Sequence, residues 1–296
     1  MADPDEPARD EPTRARLREV LGCDVPDLRR IGGQHGVDHY RLVLADGRSA
    51  FAKVAAAAEA SADAGFAAEA TSLRWLGDAR AVPVPEVLGV SDKVLVLAWV
   101  PEDSGGTVAA SCFGADLARL HEAGAEQFGA PWPGVIAGLP LPNDESSDWP
   151  PWFAACRLLP YARIARDRGG LTAADVQLVE SVASKITELA GPAEPPSRIH
   201  GDCWSGNVLW SGGRGWLIDP TAHGGHRETD LAMLSLFGAP HLDHILAAYQ
   251  QARPLADGWR GRVPLHQLHP LLVHVCLFGA AYRESALAAA RAALRA

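Results

Sequence analysis

The sequence is short of basic charge, long apolar runs and paired cysteines, and each shortage removes a class of function. Lys and Arg number 27 against 36 Asp and Glu, a formal net charge of −9. No cationic surplus is available to neutralise phosphates, which argues against nucleic-acid binding and suits a soluble protein. The strongest apolar run, Val94 to Val100, is too short to span a bilayer and reads as a buried strand, so no membrane association is expected. Met1 to Asp10 is acidic and Pro-rich with no apolar segment, and reads as a frayed terminus rather than a targeting signal. The five cysteines, Cys23, Cys112, Cys156, Cys203 and Cys276, include no C-x-x-C pair. This pattern favours reduced thiols in a cytoplasm, mostly as small core residues, over a disulfide framework or a zinc site. Internal repeats and a G-x-x-x-x-G-K-[ST] loop are also missing.

What remains is ordinary globular composition, 48% hydrophobic and 21% charged, which excludes wholesale disorder. A chain of 296 residues exceeds the usual single core, so two packed lobes are expected. The first hundred residues are strand-rich. A helix is predicted over Thr13 to Leu21, then strands over Leu28 to Gly33, His39 to Ala45 and Arg48 to Val54, the last two joined by an Asp46-Gly47 turn. Ser61 to Leu76 follows as a helix with Ser61 as its cap, and strands return near Glu86 to Val90 and Lys93 to Trp99. This order does not alternate strand and helix, so a doubly wound parallel sheet is excluded. Residues 101–106 are polar and Gly-rich and divide an N-terminal lobe, residues 1–100, from a C-terminal lobe, residues 107–296. In the latter, helices are expected over Val108 to Glu122, Pro151 to Arg168, Thr172 to Ala190, Glu228 to Phe237, Leu242 to Ala252 and Leu265 to the end. Gly124 to Pro150 is irregular and long enough to suggest a functional loop shaping an acceptor site.

The chemistry concentrates in Ile199-His200-Gly201-Asp202-Cys203-Trp204-Ser205-Gly206-Asn207-Val208-Leu209-Trp210, a Gly212-Gly213 turn, and Trp216-Leu217-Ile218-Asp219-Pro220. Two apolar triplets around the glycines form a small hairpin. A polar loop precedes its first strand and a carboxylate ends its second, so Asp202, Asn207 and Asp219 can lie together. Phosphoryl transfer needs a carboxylate for the hydroxyl proton and hard oxygen ligands for magnesium, and Asp-x-x-x-x-Asn is the spacing of a kinase catalytic loop. Metal-dependent hydrolysis with His200 as a ligand is the rival, but no second histidine pair lies nearby.

The N-terminal region supplies the other parts. Alternation along Arg48 to Val54 puts Lys53 on a face with Phe51, from which it can reach ATP phosphates. Glu69, mid-helix, is the expected ion-pair partner, with Glu59 as rival. Gly32-Gly33-Gln34-His35-Gly36 lies between two strands, where its amides could cover phosphates.

Four segments carry a family resemblance: Gly32 to Gly36, Phe51-Ala52-Lys53, His200 to Asn207, and Ile218 to Glu228. Together they resemble the fructosamine kinase (ketosamine-3-kinase) family, of the protein-kinase-like fold shared with aminoglycoside phosphotransferases. The resemblance implies an α+β, bilobal structure, a small antiparallel sheet with one helix above a larger helical lobe. It implies ATP and Mg2+ as cofactors and phosphorylation of the sugar 3-hydroxyl of ketosamines, free or protein-bound, in deglycation. It makes Asp202 the base, Asn207 and Asp219 the magnesium ligands, and Lys53 with Glu69 the phosphate-positioning pair. The adenine would lie against Ala98, Trp99 and Val100, and Trp204 could line the sugar site, although a packed aromatic fits nearly as well. Cys203 replaces the family's usual leucine, and the glycine segment has no cysteine for redox switching. Arg227 and Glu228 are read as structural ion-pair partners. A kinase of aminoglycosides or amino alcohols and a nucleotide-binding pseudokinase are the competing readings; a complete set of five polar residues weighs against the second.

Overall fold

A computed structural model describes residues 6–34, 36–55 and 63–296. Helix α1 (Glu6–Leu21) leads into β1 (Asp27–Gln34), β2 (Val37–Val43) and β3 (Ser49–Ala55). Helix α2 (Asp63–Asp78), β4 (Val87–Ser91) and β5 (Val94–Ala98) complete an antiparallel sheet of order β1-β2-β3-β5-β4. The expected turn forms at Asp46-Gly47, where Gly47 takes a φ of 86° and Leu44 N donates to Arg48 O. Helix α1 begins at Glu6, so residues 6–10, expected to fray, are helical. The expected cap Ser61 and the rival Glu59 lie outside the described residues.

The uninterrupted apolar run of β5 is explained by burial on both faces. Val94 and Val96 pack with Leu17 of α1 and Leu42 of β2. Leu95 and Leu97 pack with Phe66, Ala70 and Leu73 of α2. Each of the Val, Leu and Phe side chains contributes about 1.5–3 kcal/mol by leaving water, and the second group fixes α2 over one face of the sheet.

Beyond Ala98 the chain runs to α3 (Thr107–Glu122). On the way Asp103 N donates to Trp210 O at 2.8 Å and Asp103 Oδ2 accepts from Gly212 N at 2.7 Å. Gly105 meets Trp210 so closely that a Cβ would lie 2.4 Å from the indole.

The irregular stretch contains a hairpin that the sequence reading missed, β6 (Gly134–Ile136) with β7 (Leu139–Leu141). Its two-residue turn, Ala137-Gly138, has positive φ at both positions, 48° and 77°. Alanine is an unusual residue there, which hid the turn.

Helix α4 (Trp149–Phe153), a π-helical turn at Ala154–Leu158 and α5 (Leu159–Asp167) replace one expected helix. Pro160 cannot donate to the carbonyl of Cys156, and the helix widens there. Helix α6 (Ala173–Ser184) starts at a capping box of Thr172 and Asp175, and α7 (Ile186–Leu189) follows a break at Lys185. Strand β8 (Ser197–Ile199) pairs with β11 (His223–Gly225), enclosing the expected hairpin of β9 (Val208–Ser211) and β10 (Arg214–Leu217). Helices α8 (Glu228–Leu236), α9 (Leu242–Ala252), α10 (Trp259–Phe278) and α11 (Arg283–Ala293) finish the chain. Gly114 lets α3 touch α9 backbone to backbone, since a Cβ would lie 2.1 Å from Ile245 O. The last expected helix starts six residues early and is interrupted at Gly279, whose φ is 64°. By length and composition Trp259–Ala293 could cross a membrane. In the fold it is broken, and Leu265, Leu268, Leu272 and Val275 of α10 sit in the hydrophobic core.

Candidate active site

A cleft of about 840 Å³ runs between the sheet and the helical lobe. Lys53, Glu69, Asp202, Trp204, Asn207 and Asp219 all line it. Lys53 Nζ donates to both oxygens of Glu69 at 2.9 and 2.8 Å, and to Asp219 Oδ1 at 2.8 Å. Burial disfavours the Lys53 ammonium, but the two carboxylates outweigh it and raise its pKa. Burial pushes the Glu69 carboxyl up. Burial also works against Asp219, yet Lys53 outweighs it and holds that carboxylate below its ordinary value. Asp219 has a φ of 53°, a left-handed conformation that aspartate tolerates better than most residues.

The loop that carries Asp202 is held from several directions. Asp230 of α8, fully buried, accepts from the amides of His200 at 2.7 Å and Gly201 at 3.0 Å. It also meets His121 Nε2 at 3.1 Å, and His121 Nδ1 meets the Tyr249 hydroxyl at 2.8 Å. His200 is a strut rather than a ligand. Its Nε2 donates to Ile218 O at 2.8 Å and its Nδ1 accepts from Asp202 N at 3.2 Å, so both nitrogens are used. Gly201, with φ 84°, passes so close to Thr221 that a Cβ would lie 2.4 Å from its carbonyl oxygen. Asn207 Nδ2 donates to Asp202 O at 2.9 Å and to Asp202 Oδ2 at 3.0 Å. Burial pushes the Asp202 carboxyl up to about 7, with Asn207 opposing and Asp219 reinforcing.

The geometry suits magnesium and phosphates. Asn207 spends its amide nitrogen on Asp202 and leaves Oδ1 for a cation, while Asp219 has Oδ2 free of Lys53. One amide and one carboxylate oxygen are the hard donors that magnesium takes, with phosphates supplying others. Lys53 stands beside them as a fixed positive charge.

Other expected contacts are distributed less simply. Of the glycine segment, Gln34 lines the cleft but Gly32, Gly33 and Gly36 do not, and His35 lies outside the described residues. Gly33 pairs with Asp38 and Gln34 with Val37, so the segment is the end of a β1–β2 hairpin. Ala98, Trp99 and Val100 are not among the lining residues: Arg41 lies over the Trp99 ring at 4.7 Å and Val100 is buried. Asp144, Glu145 and Asp148 are exposed and are not among the lining residues. Trp204 is 38% exposed in the cleft, edge-on to Phe237, which is 40% exposed.

Several contributors escaped the sequence reading. His39 of β2 pairs in register with Lys53 and lines the cleft. Asp230 could have been suspected as a carboxylate in the first turn of α8, directly before its apolar run. Arg227 and Glu228 are indeed ion-paired, with Glu194 and Arg262 respectively. His226, Glu228 and His266 have ligand-type atoms within 4.8 Å of one another, but both Glu228 oxygens are taken by Arg262, at 2.9 and 2.6 Å.

The fructosamine kinase family model matches residues 16–296. The chain belongs to the fructosamine kinase family. A crystal structure of a candidate fructosamine-3-kinase from Thermobifida fusca YX-ER1 is 53% identical, with a TM-score of 0.92 over 96% of this chain and 98% of that one. A candidate ketoamine kinase of Klebsiella aerogenes is 34% identical over 236 residues, 78% of this chain and 81% of its own length. The gentamicin complex of an aminoglycoside phosphotransferase, 15% identical, shares the fold alone, with a TM-score of 0.65 over 100% of this chain and 98% of that chain. The protein-kinase-like, bilobal α+β fold expected from the sequence is therefore the fold observed. As a member of the fructosamine kinase family the chain is an ATP-dependent phosphotransferase.

Proposed function

We propose that the protein phosphorylates the 3-hydroxyl of the sugar in ketosamines, using magnesium and ATP, and so serves the removal of glycation adducts from amines in the cytoplasm. The single observation that supports this reading best is the Asp202–Asn207–Asp219 group in the cleft with Lys53, within a chain of the fructosamine kinase family. The lobes divide at residues 101–106, with 1–100 holding the nucleotide and 107–296 the acceptor. Lys53, held by Glu69, positions the phosphates, and Gln34, at the end of the β1–β2 hairpin, is the residue of the glycine segment that faces them. Asn207 and Asp219 would hold the magnesium ion, which when bound neutralises charge on the transferring phosphoryl group. Asp202 orients the acceptor hydroxyl and takes its proton. Trp204 offers an aromatic face to the sugar.

An ATP-consumption screen tests the reading. Ribulosyl-, erythrulosyl- and fructosyl-lysine are compared with kanamycin-type amines. Turnover of at least one ketosamine above every aminoglycoside is expected; turnover of aminoglycosides with none on ketosamines overturns the substrate assignment.

A further inference from the structure

Arg157, in the π-helical turn, heads the fully buried side chains by size, and no carboxylate pairs with it among the described residues. Burial pulls its pKa down to about 10. Its guanidinium lies 4.4 Å from the Trp152 ring centroid. Two of its nitrogens reach the loop after β7, Nη1 at Pro142 O and Nη2 at Asn143 Oδ1 at 2.7 Å, while Nη1 also has Cys156 O of its own turn at 3.3 Å. Enclosing a cation without a counter-charge opposes folding. What the enclosed cation secures here is the placement of residues 142 and 143.

Asn143 is buried and lines the cleft that contains Asp202. A guanidinium only donates, so the amide atom facing Arg157 is Oδ1, and that fixes the orientation of the whole amide. Nδ2 then points the other way. Its protein acceptor is Trp132 O at 3.5 Å, beyond the usual span of about 2.7–3.2 Å. At least one N–H is left for something else. Gly134, also in the cleft wall, leaves the space beside that nitrogen unfilled, since a Cβ at 134 would lie 2.8 Å from Nδ2.

We propose that Asn143 recognises the phosphoryl acceptor, donating from Nδ2 to a hydroxyl or carbonyl oxygen of its sugar, with Arg157 as the positioning residue that holds the amide in the donating orientation. The inference rests on the acceptor reading given above and adds a contact beyond Asp202, Asn207 and Asp219. A neutral amide donor matches a neutral sugar oxygen, whereas the phosphates are served by the charge of Lys53. The segment of origin agrees: Trp132, Gly134 and Asn143 come from the stretch that the sequence marked as an acceptor-shaping loop.

The decisive variant is Asn143→Asp. It keeps the side-chain volume and gives Arg157 a carboxylate, so the thermal midpoint should hold or rise, while the cleft loses a donor. A hydroxyl could still turn its proton towards the new carboxylate, so the variant is read against ketosamines deoxygenated at one sugar position at a time. Wild type should discriminate against one deoxy analogue by about tenfold or more in kcat/KM. In Asn143→Asp the acceptor KM should rise and that discrimination should fall towards one, with the KM for ATP within about twofold. Arg157→Met should show the same split between acceptor and ATP. If Asn143→Asp is folded and both the acceptor KM and the deoxy pattern match wild type, the assignment is overturned; a fall in kcat alone overturns it too. If wild type uses an aminoglycoside and no ketosamine, the proposed substrate falls, and the effect of Asn143→Asp on the KM of that aminoglycoside still decides the role of Asn143.

Discussion

Lys53 and Asp219, 166 residues apart in sequence, meet with 2.8 Å between Nζ and Oδ1, and the same ammonium holds both oxygens of Glu69. One cation thus compensates two carboxylates from different lobes. Lys53→Met should leave them facing each other unpaired. Removing one partner of an enclosed pair typically costs about 3–5 kcal/mol. Asp219 is 36% exposed and partly screened, so a loss nearer about 2–3 kcal/mol is expected in urea unfolding. Adding Glu69→Leu should recover much of that stability without recovering phosphoryl transfer. A Lys53→Met protein as stable as wild type would contradict this account.

Asp202→Asn keeps the size of the side chain and removes the group that takes the hydroxyl proton. Loss of a general base lowers turnover by about 10²- to 10⁴-fold. Nucleotide affinity, measured on the same sample, should be retained. Near-normal turnover in a folded variant would exclude Asp202 as the base.

The pH dependence follows from the same carboxyl, which burial pushes up to about 7 from 3.8. Only its ionised form accepts a proton, so kcat/KM should fall as pH drops below 7 and level off above it. Stability has the opposite sign. A carboxyl whose folded pKa exceeds its unfolded value binds its proton more tightly in the fold, so this contribution is present at low pH and is lost as pH rises from about 4 to about 7. Asp202→Asn should abolish that component of the urea-midpoint profile. An acid limb that is unchanged when binding and chemistry are separated would point to another group.

Asp219→Ala removes the charged oxygen proposed for magnesium and one partner of Lys53. Calorimetry should show weaker binding of magnesium-ATP, with a smaller change for ATP in the presence of EDTA. Equal losses in the two conditions would assign Asp219 to Lys53 alone.

Asp230→Ala should act through the loop. It leaves the buried amides of His200 and Gly201 without an acceptor, and each such loss costs about 1–3 kcal/mol. A large drop in the urea midpoint is expected, together with lower turnover in the fraction that remains folded. An unchanged midpoint would show that water replaces the carboxylate.

Local chemistry made much of this site readable. Asp202 and Asn207 sit on one short loop, Asp219 follows from the glycine hairpin, and Lys53 is placed by strand alternation beside a helix that brings Glu69. The Ala137-Gly138 turn stayed hidden because it lacks the usual asparagine or aspartate. Asp230, His121 and Tyr249 come from three helices, and no local pattern announces that they converge. Asn143 lies in the loop after β7 and Arg157 in the π-helical turn, and their meaning depends on burial, which a residue's identity does not reveal. The contacts assigned to Ala98, Trp99 and Val100 came from family likeness, and no local pattern in those three residues announces a nucleotide.

The stitching of Asp103 and Gly105 onto the β9–β10 hairpin has a mechanical corollary. The same hairpin also holds the segment after α2, with Leu217 N donating to Pro83 O at 3.0 Å and Arg214 Nη2 to Ala81 O at 3.2 Å, and Pro101, between Ala98 and Asp103, has a fixed φ and no amide hydrogen. Two ties to one hairpin leave the sheet little freedom to slide over the helices. The hairpin that anchors both ties also ends in the strand leading to Asp219, so the ties and Asp219 share one mount. Any rocking that these ties allow would change the reach of Lys53 to Asp219, so the width of the cleft and that one ion pair are set together.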